Sequence, residues 1–166
     1  MVWFWLGALA RGEIVDAVLH VVGDRIVTQS DVTFEADFDP HDRSPLIALE
    51  DPDYSLETRL VDFAILRELA GDIEIYRPSS SEVRARGERF RSGWARAEDH
   101  PAFLARWALD EDQLLGFFYS RLVVERYVAR NAAQAASIGV KEEITPEVYQ
   151  AWMATLRARA NVRTPR

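Results

Sequence analysis

The chain has 166 residues, of which 48% are hydrophobic and 28% are charged, and its net charge is −7. This length and composition are typical of one globular domain with one core, and they exclude a disordered chain. The negative charge disfavours binding to bulk nucleic acid, which requires a basic surface. Because the chain contains no cysteine, disulfides, thiol catalysis and thiolate zinc sites are excluded.

The first ten residues, Met1–Ala10, form an apolar run that ends in the small-x-small pattern Ala8-Leu9-Ala10. This run is too short to span a bilayer, and it is typical of the hydrophobic region of a signal peptide. We therefore expect residues 1–10 to be the remnant of a signal segment for export, without stable membrane insertion. A buried N-terminal helix and an uncleaved anchor are the alternatives. Residues 11–166 are expected to form a single domain.

The stretch 14–32 predicts a β-hairpin that leads directly into a helix. Gly23-Asp24 indicates a tight turn between two groups of β-branched residues. Ser30-Asp31 indicates a helix N-cap, because a short oxygen side chain can accept a hydrogen bond from an unpaired backbone N–H. This first helix is expected to end near Ala36. The strand residues are Val15, Val18, Val21 and Val22 before the turn and Ile26 and Val27 after it.

Charge is distributed unevenly along the chain. Residues 31–62 are acidic, whereas residues 84–96 and 157–166 are rich in arginine. We interpret these segments as solvated faces that could pair with each other. Within the acidic segment, Asp37–Asp42 contains metal-ligand residue types, but it lacks the glycine and distal glutamate of a calcium loop. A solvated acidic loop is therefore favoured there, followed by a helical turn at Leu46–Leu49.

Two helices are expected in the middle of the chain, followed by a short third one. Ser55 is a plausible cap and Gly71 a plausible stop for a largely buried helix over 55–70. A second helix begins at Ser79–Glu82 and carries one apolar stripe, with arginines on its remaining faces. A short helix follows Pro101, which suits the first helical position. The stripe comprises Val83, Gly87, Phe90, Trp94 and Ala97, and the arginines are Arg84, Arg86, Arg89, Arg91 and Arg96.

The longest helix is predicted over about 111–136, because Asp110 and Gln113 form a capping pattern before two rows of apolar residues. Thr145-Pro146-Glu147 then opens the last helix, and residues 161–164 form a short possible strand. The last helix is expected to direct one row of side chains inward and to cover the hairpin. That row comprises Tyr149, Trp152, Met153 and Leu156.

Four segments resemble, in the same order, the N-terminal chaperone domain of the SurA-like periplasmic chaperones. They are the hairpin with Ser30-Asp31-Val32, the helix 60–69, the helix start Ser81-Glu82-Val83, and the segment 109–127 with Gln113-Leu114 and Leu122 to Tyr127. The resemblance covers 14–32 and 60–162. It implies a mainly α, multi-helix domain with a small N-terminal β-hairpin, closed by the C-terminal helix.

The resemblance also implies a periplasmic chaperone-like protein, with a role in outer-membrane biogenesis. Such a protein binds unfolded or extended polypeptides, such as outer-membrane protein precursors, and needs no cofactor. Full-length relatives carry one or two parvulin-type prolyl-isomerase modules between the long helix and the final helix. Because residues 137–145 form only a short connector, we expect no such module and no isomerase activity. A homodimer is compatible with this interpretation.

Aromatic residues are the candidates for the client-binding surface, although residues of this type at helical spacing belong to the core more often than to a binding surface. The alternative function is a structural or adaptor protein of the cell envelope that binds one specific partner. An enzyme is disfavoured, because only three histidines are present and no nucleophile elbow, phosphate loop or HExxH pattern occurs. We therefore assign no catalytic, metal or cofactor residues. The client-binding candidates are Phe90, Trp94, Phe103, Trp107, Phe117 and Tyr119.

Overall fold

The computed structural model describes residues 16–42, 44–51, 53–135 and 144–165. The predicted signal segment and most of the connector between the last two helices lie outside the described residues. Within these ranges the fold is mainly α, with a small antiparallel sheet, as the sequence predicts. The helices are α1 Gln29–Phe38, α2 Leu56–Ala70, α3 Ser80–Ser92, α4 Asp99–Arg106, α5 Glu111–Ala135 and α6 Pro146–Arg159. Short 3₁₀ helices span Pro45–Leu49 and Glu74–Tyr76, and the strands are β1 Val18–Val22, β2 Arg25–Thr28 and β3 Val162–Arg163.

The sheet joins the two ends of the described chain. Its strand order is β2-β1-β3, and both pairings are antiparallel. Val22 pairs with Arg25 across the turn and with Val162 of β3 on its other side. Gly23 supplies the left-handed conformation of the turn, with φ of 54°. The predicted hairpin and the predicted C-terminal strand are both confirmed.

Two helices cover the hairpin, which would be only marginally stable alone. Its buried residues Val22 and Val27 pack in one cluster with Val61 and Ile65 of α2, and Leu156 of α6 lies against the same cluster. The C-terminal helix therefore closes the hairpin, as expected, although only its last inward residue does so. Tyr149, Met153 and Trp152 instead pack with Leu66, Val124 and Val128 of α2 and α5.

Two predicted helix starts are wrong by two residues. α1 begins at Gln29, because the extended residue Thr28 is its N-cap: the Thr28 hydroxyl accepts a hydrogen bond from Asp31 N, and the Asp31 carboxylate accepts one from Thr28 N. The helix also continues beyond Ala36 and ends at Phe38.

The second wrong start is that of α4, which begins at Asp99, so that Pro101 is its third residue and not its first. Proline is tolerated there because the first N–H groups of a helix have no intrahelical acceptor.

The core lies along α5. An aromatic cluster at its first half contains fully buried rings from α1, α3 and α5, and the second half contacts α2 and α6. The ring of Phe118 lies 5.7 Å from that of Phe38 and 5.3 Å from that of Phe90, between centroids. Since Phe38 and Phe118 are completely buried, this contact fixes the position of α1 relative to α5.

Phe118→Ala should lower the free energy of unfolding by about 3–5 kcal/mol, because it removes a fully buried aromatic side chain and leaves a cavity. Phe117→Ala is the matched control: the neighbouring ring is 40% exposed, so its removal should cost less than about 1 kcal/mol. Urea denaturation of both variants measures the difference. Equal losses would contradict the position of α5 in the core.

Candidate functional site

A cleft of about 250 Å³ lies between the β2 strand and the helices α1, α2 and α5. The 3₁₀ helix Pro45–Leu49 forms one wall, and Tyr149 of α6 contributes to the lining. This volume is slightly below the range of about 300–1,000 Å³ that is typical of small-molecule sites. The cleft therefore has room for one or two side chains of a larger ligand.

Three apolar side chains on the rim of the cleft are exposed to solvent. Ile26 of β2, Ile47 of the 3₁₀ helix and Phe117 of α5 are 58%, 37% and 40% exposed, respectively. The Phe117 ring is held 4.9 Å from that of Phe34, which also lines the cleft. Exposed apolar residues from three separate elements thus surround one opening, an arrangement typical of a binding surface.

The base of the cleft is polar, and Arg121 is its central residue. Its guanidinium donates hydrogen bonds to both carboxylate oxygens of Glu35, and Arg121 Nε lies 3.4 Å from Asp42 Oδ2. The same guanidinium is 4.8 Å from the centroid of the Phe38 ring, within the range of a cation–π contact. Because Glu35 and Asp42 are 4% and 2% exposed, Arg121 compensates buried negative charge on α1 and on the segment after it.

A second buried arginine, Arg86 of α3, binds the other side of Asp42. Arg86 Nε donates to Asp42 Oδ1 over 2.6 Å, and its two Nη groups form a fork with Glu125 of α5 at 3.0 and 3.1 Å. Burial lowers the pKa of Arg86, but the hydrogen bonds and charges of Asp42 and Glu125 raise it more, so its net pKa shift is upward. Arg86 thus remains charged and connects α3, α5 and the acidic segment.

Glu50 is the least satisfied carboxylate of the cleft. Its side chain is 9% exposed, and its Oε2 atom lies 2.5 Å from Arg59 Nε. Neither of these two atoms makes a hydrogen bond of acceptable geometry within the described chain. Burial, together with the negative charges of Asp62 and Glu35, raises the pKa of Glu50 to about 7, although Arg121 opposes this shift. Burial and the neighbouring negative charges therefore disfavour the ionised form of Glu50.

The last ion pair at the cleft joins α2 to α6. Arg157 Nε donates to Asp62 Oδ1 over 2.6 Å, and the Arg157 guanidinium also donates to the Tyr54 hydroxyl. Burial raises the pKa of Asp62, whereas its hydrogen bond with Arg157 lowers it; the net direction is upward. This pair explains how a carboxylate is accommodated on the otherwise apolar inner face of α2.

The structure separates the six predicted client-binding residues into three groups. Phe90 and Phe103 are 1% and 5% exposed and belong to the aromatic core, so they present no surface to a client. Trp94, Trp107 and Tyr119 are half-buried and pack against the same core. Phe117 is exposed and lies on the rim of the cleft. The expectation of a client surface at Phe90 and Phe103 is thus corrected, because those rings fill the space between α1, α3 and α4.

The expected pairing between the acidic and the arginine-rich segments is confirmed, but the expectation that these charges are solvated is wrong for several residues. Asp42 belongs to the predicted acidic loop and Arg86 to the predicted polar faces of α3, yet both are buried and paired with each other. One signal in the sequence points to Arg86: it lies three residues after Val83 and four before Phe90, on the apolar stripe of the helix. Asp62, within the apolar run of α2, is a comparable signal.

The histidines and the Asp37–Asp42 run have structural partners. His20 lies 2.5 Å from the Glu57 carboxylate, and His41 stacks on Trp94 at 3.5 Å between centroids. Asp37 accepts a hydrogen bond from the Trp107 indole. His100 is buried, and burial lowers its pKa. Among the residues that the structure describes, no group of three or more acidic or histidine side chains is arranged to hold a metal ion.

The chain matches no protein-family model, no curated protein and no solved structure. None of the described helices is both long enough and apolar enough to cross a membrane.

Arg86→Met should lower the free energy of unfolding by about 3–5 kcal/mol, because it leaves Asp42 and Glu125 buried without their cation. Arg89→Met is the matched control on the same helix. Arg89 is exposed, so this change should fall within about 0.5 kcal/mol of the wild type. Chemical denaturation measures both values, and a near-neutral Arg86→Met would refute the role of this buried network.

Glu50→Gln should remove part of the pH dependence of stability. The folded-state pKa of about 7 lies above the ordinary value of 4.5, so Glu50 contributes stability below about pH 4.5 that is lost as the pH rises through 7. Between pH 5.5 and pH 8 the wild type should therefore lose more stability than Glu50→Gln. Urea titrations at both pH values provide the comparison, with the exposed Glu88→Gln as a control that keeps the wild-type profile. Parallel profiles for wild type and Glu50→Gln would contradict the assigned environment of Glu50.

Proposed function

We propose that this chain is a non-enzymatic, chaperone-like protein of the periplasm that binds unfolded or extended polypeptides in the cleft. The observation that carries the proposal is the ring of exposed apolar side chains around a concave site, at Ile26, Ile47 and Phe117. A holdase needs such a surface, because the segments that aggregate in unfolded proteins are apolar. The resemblance to SurA-like chaperones supports the periplasmic location and the class of client.

The position of β2 supports an extended conformation for the bound client. β2 lies at one edge of the sheet, and no strand within the described part of the chain pairs with its outer side. Arg25, Ile26 and Val27 of this strand line the cleft. An extended segment could therefore pair with the backbone of β2 while one or two of its side chains enter the cleft, which is a recurring mode of peptide recognition.

An adaptor that binds one folded partner is the second candidate, and a different surface favours it. Leu69, Ile73 and Ile75 are 44%, 54% and 51% exposed. They lie at and just after the end of α2, and none of them lines the cleft. Exposed apolar residues of this kind are typical of contacts between folded proteins. A holdase should bind several unrelated unfolded chains, whereas an adaptor should bind one partner and saturate.

The purified protein should suppress the aggregation of an unrelated, chemically unfolded protein at stoichiometric concentration. Phe117→Ser should weaken client binding by about tenfold, because it removes an apolar contact worth about 1.5 kcal/mol from the rim. Ile75→Ser is the matched control, since Ile75 is also an exposed apolar residue, at 51% against 40% for Phe117, but lies outside the cleft. Light scattering records aggregation, and anisotropy of the labelled client gives the affinity.

The two candidates predict opposite results for these variants. Loss of suppression in Phe117→Ser alone would support the chaperone cleft. If the wild type suppresses nothing, or if only Ile75→Ser affects binding, the proposed client site is refuted and the adaptor surface is favoured.

A further inference from the structure

We propose that the cleft selects polypeptide segments in which a lysine lies among apolar residues, with the lysine ammonium placed against Glu50. This inference rests on the proposed function and names the class of segment that the same cleft would take. It follows from the charge of the cleft base, from the unsatisfied Glu50 carboxylate and from the distribution of apolar surface around it.

The ion network at and beneath the cleft contains more acid than base. Each arginine in it contacts at least one carboxylate, yet the carboxylates outnumber the guanidinium groups by two when all are ionised. Buried negative charge in excess is unfavourable unless a cation compensates it. The carboxylates are Glu35, Asp39, Asp42, Glu50, Asp62 and Glu125, and the guanidinium groups are those of Arg59, Arg86, Arg121 and Arg157.

Three carboxylates of this network line the cleft, those of Glu35, Glu50 and Asp62, and among them Glu50 is the one with an oxygen that makes no hydrogen bond within the described chain. It lines the cleft, its side chain is more than nine-tenths buried, and its Oε2 atom has no hydrogen-bond partner in the described chain. Asp42 is also incompletely satisfied at Oδ2, but it does not line the cleft. A donor that enters the cleft and reaches its base would therefore meet the Glu50 carboxylate.

The walls of the cleft favour lysine as the source of that donor. A lysine side chain has a long methylene stem that can lie along apolar surface and a compact ammonium group with three donors. The stem would contact the rim at Phe117 and Ile47 while the ammonium reaches Glu50 at the base. Arginine is less suited, because its planar guanidinium is bulkier than the compact ammonium of lysine and the cleft has a volume of only about 250 Å³. The rim carries one charge of each sign, Arg25 and Asp31, so it adds no net repulsion.

Ionised and titratable groups face Glu50 from four elements, and they determine how binding responds to pH. An ammonium adds a positive charge next to Glu50, which should favour its ionised form and lower its pKa from about 7. Binding of lysine should therefore strengthen as the pH rises from 6 to 8. The groups are Glu35 on α1, Arg59 and Asp62 on α2, Arg121 on α5 and Tyr149 on α6.

The test uses short labelled peptides that differ only at one central residue, which is lysine, norleucine or glutamate within the same apolar sequence. Fluorescence anisotropy with the full chain at pH 8 should show the lysine peptide binding about tenfold more tightly than the norleucine peptide, and the glutamate peptide most weakly. At pH 6 the preference for lysine should shrink. Glu50→Gln should abolish the preference while binding of the norleucine peptide persists, and Glu88→Gln should preserve it.

Three other results would contradict the inference, and each identifies which part of it is wrong. Equal affinity for lysine and norleucine peptides at both pH values would overturn lysine selection and leave the proposed function standing. A preference that survives in Glu50→Gln would overturn the assignment to Glu50. If no peptide binds, the proposed function itself fails. Sedimentation velocity on the same samples tests for a second copy of the chain: a mass that doubles with concentration and no longer doubles in Phe117→Ser, together with absent peptide binding, would overturn the inference in favour of a dimer through the cleft.

Discussion

The rest of the structure depends on the burial of Asp42 between two arginines. A carboxylate that is only 2% exposed must be compensated, and Arg86 on α3 and Arg121 on α5 do so from opposite sides. Because Asp42 lies four residues after the end of α1, this contact holds the acidic segment against the helices instead of leaving it in solvent.

Ser44 reinforces the arrangement by donating a hydrogen bond to Glu125 over 2.7 Å. The 3₁₀ helix that follows Ser44 then forms a wall of the cleft. The shape of the candidate site is thus a consequence of the buried ion network.

A polar base also helps to explain why a concave site persists in so small a domain. Apolar surface in a cleft would be removed from water if the flanking elements moved together, and the hydrophobic effect favours such a closure. Ion pairs at the base oppose it, since their hydrogen-bond geometry is lost when the elements move and an unpaired buried charge is strongly unfavourable. Arg59 links α2 to the end of α1 through Asp39, and Arg157 links α6 to α2 through Asp62. These ion pairs therefore hold the walls of the cleft apart.

Local chemistry made much of the fold predictable, and long-range pairing made the site unpredictable. Caps at Ser55 and Ser79 and the pair Asp110–Gln113 act over three residues, so a short sequence window contains both partners. The first helix start was missed because Thr28 competes with Ser30 for the same capping role, and only the backbone conformation decides between them. Arg86 stands on an apolar stripe, so its burial could have been suspected. The identity of its partner could not be predicted, because Asp42 precedes Arg86 by 44 residues and the sequence contains many other carboxylates that could pair with an arginine.

The exposure of Phe117 and the burial of Phe118 also depend on packing between distant parts of the chain. The two residues are adjacent on α5, and a rotation of about 100° per residue places one ring in the core and its neighbour on the rim. Composition and spacing cannot determine which ring is exposed, since that depends on where α1 packs. The rim of the cleft combines this residue with Ile26 and Ile47, which are far from it in sequence. A surface assembled from such distant parts exists only while the acidic segment is docked on Arg86. Under the proposed function, client binding and docking of that segment are therefore thermodynamically linked, because a ligand that contacts Ile47 and Phe117 together would stabilise the docked state.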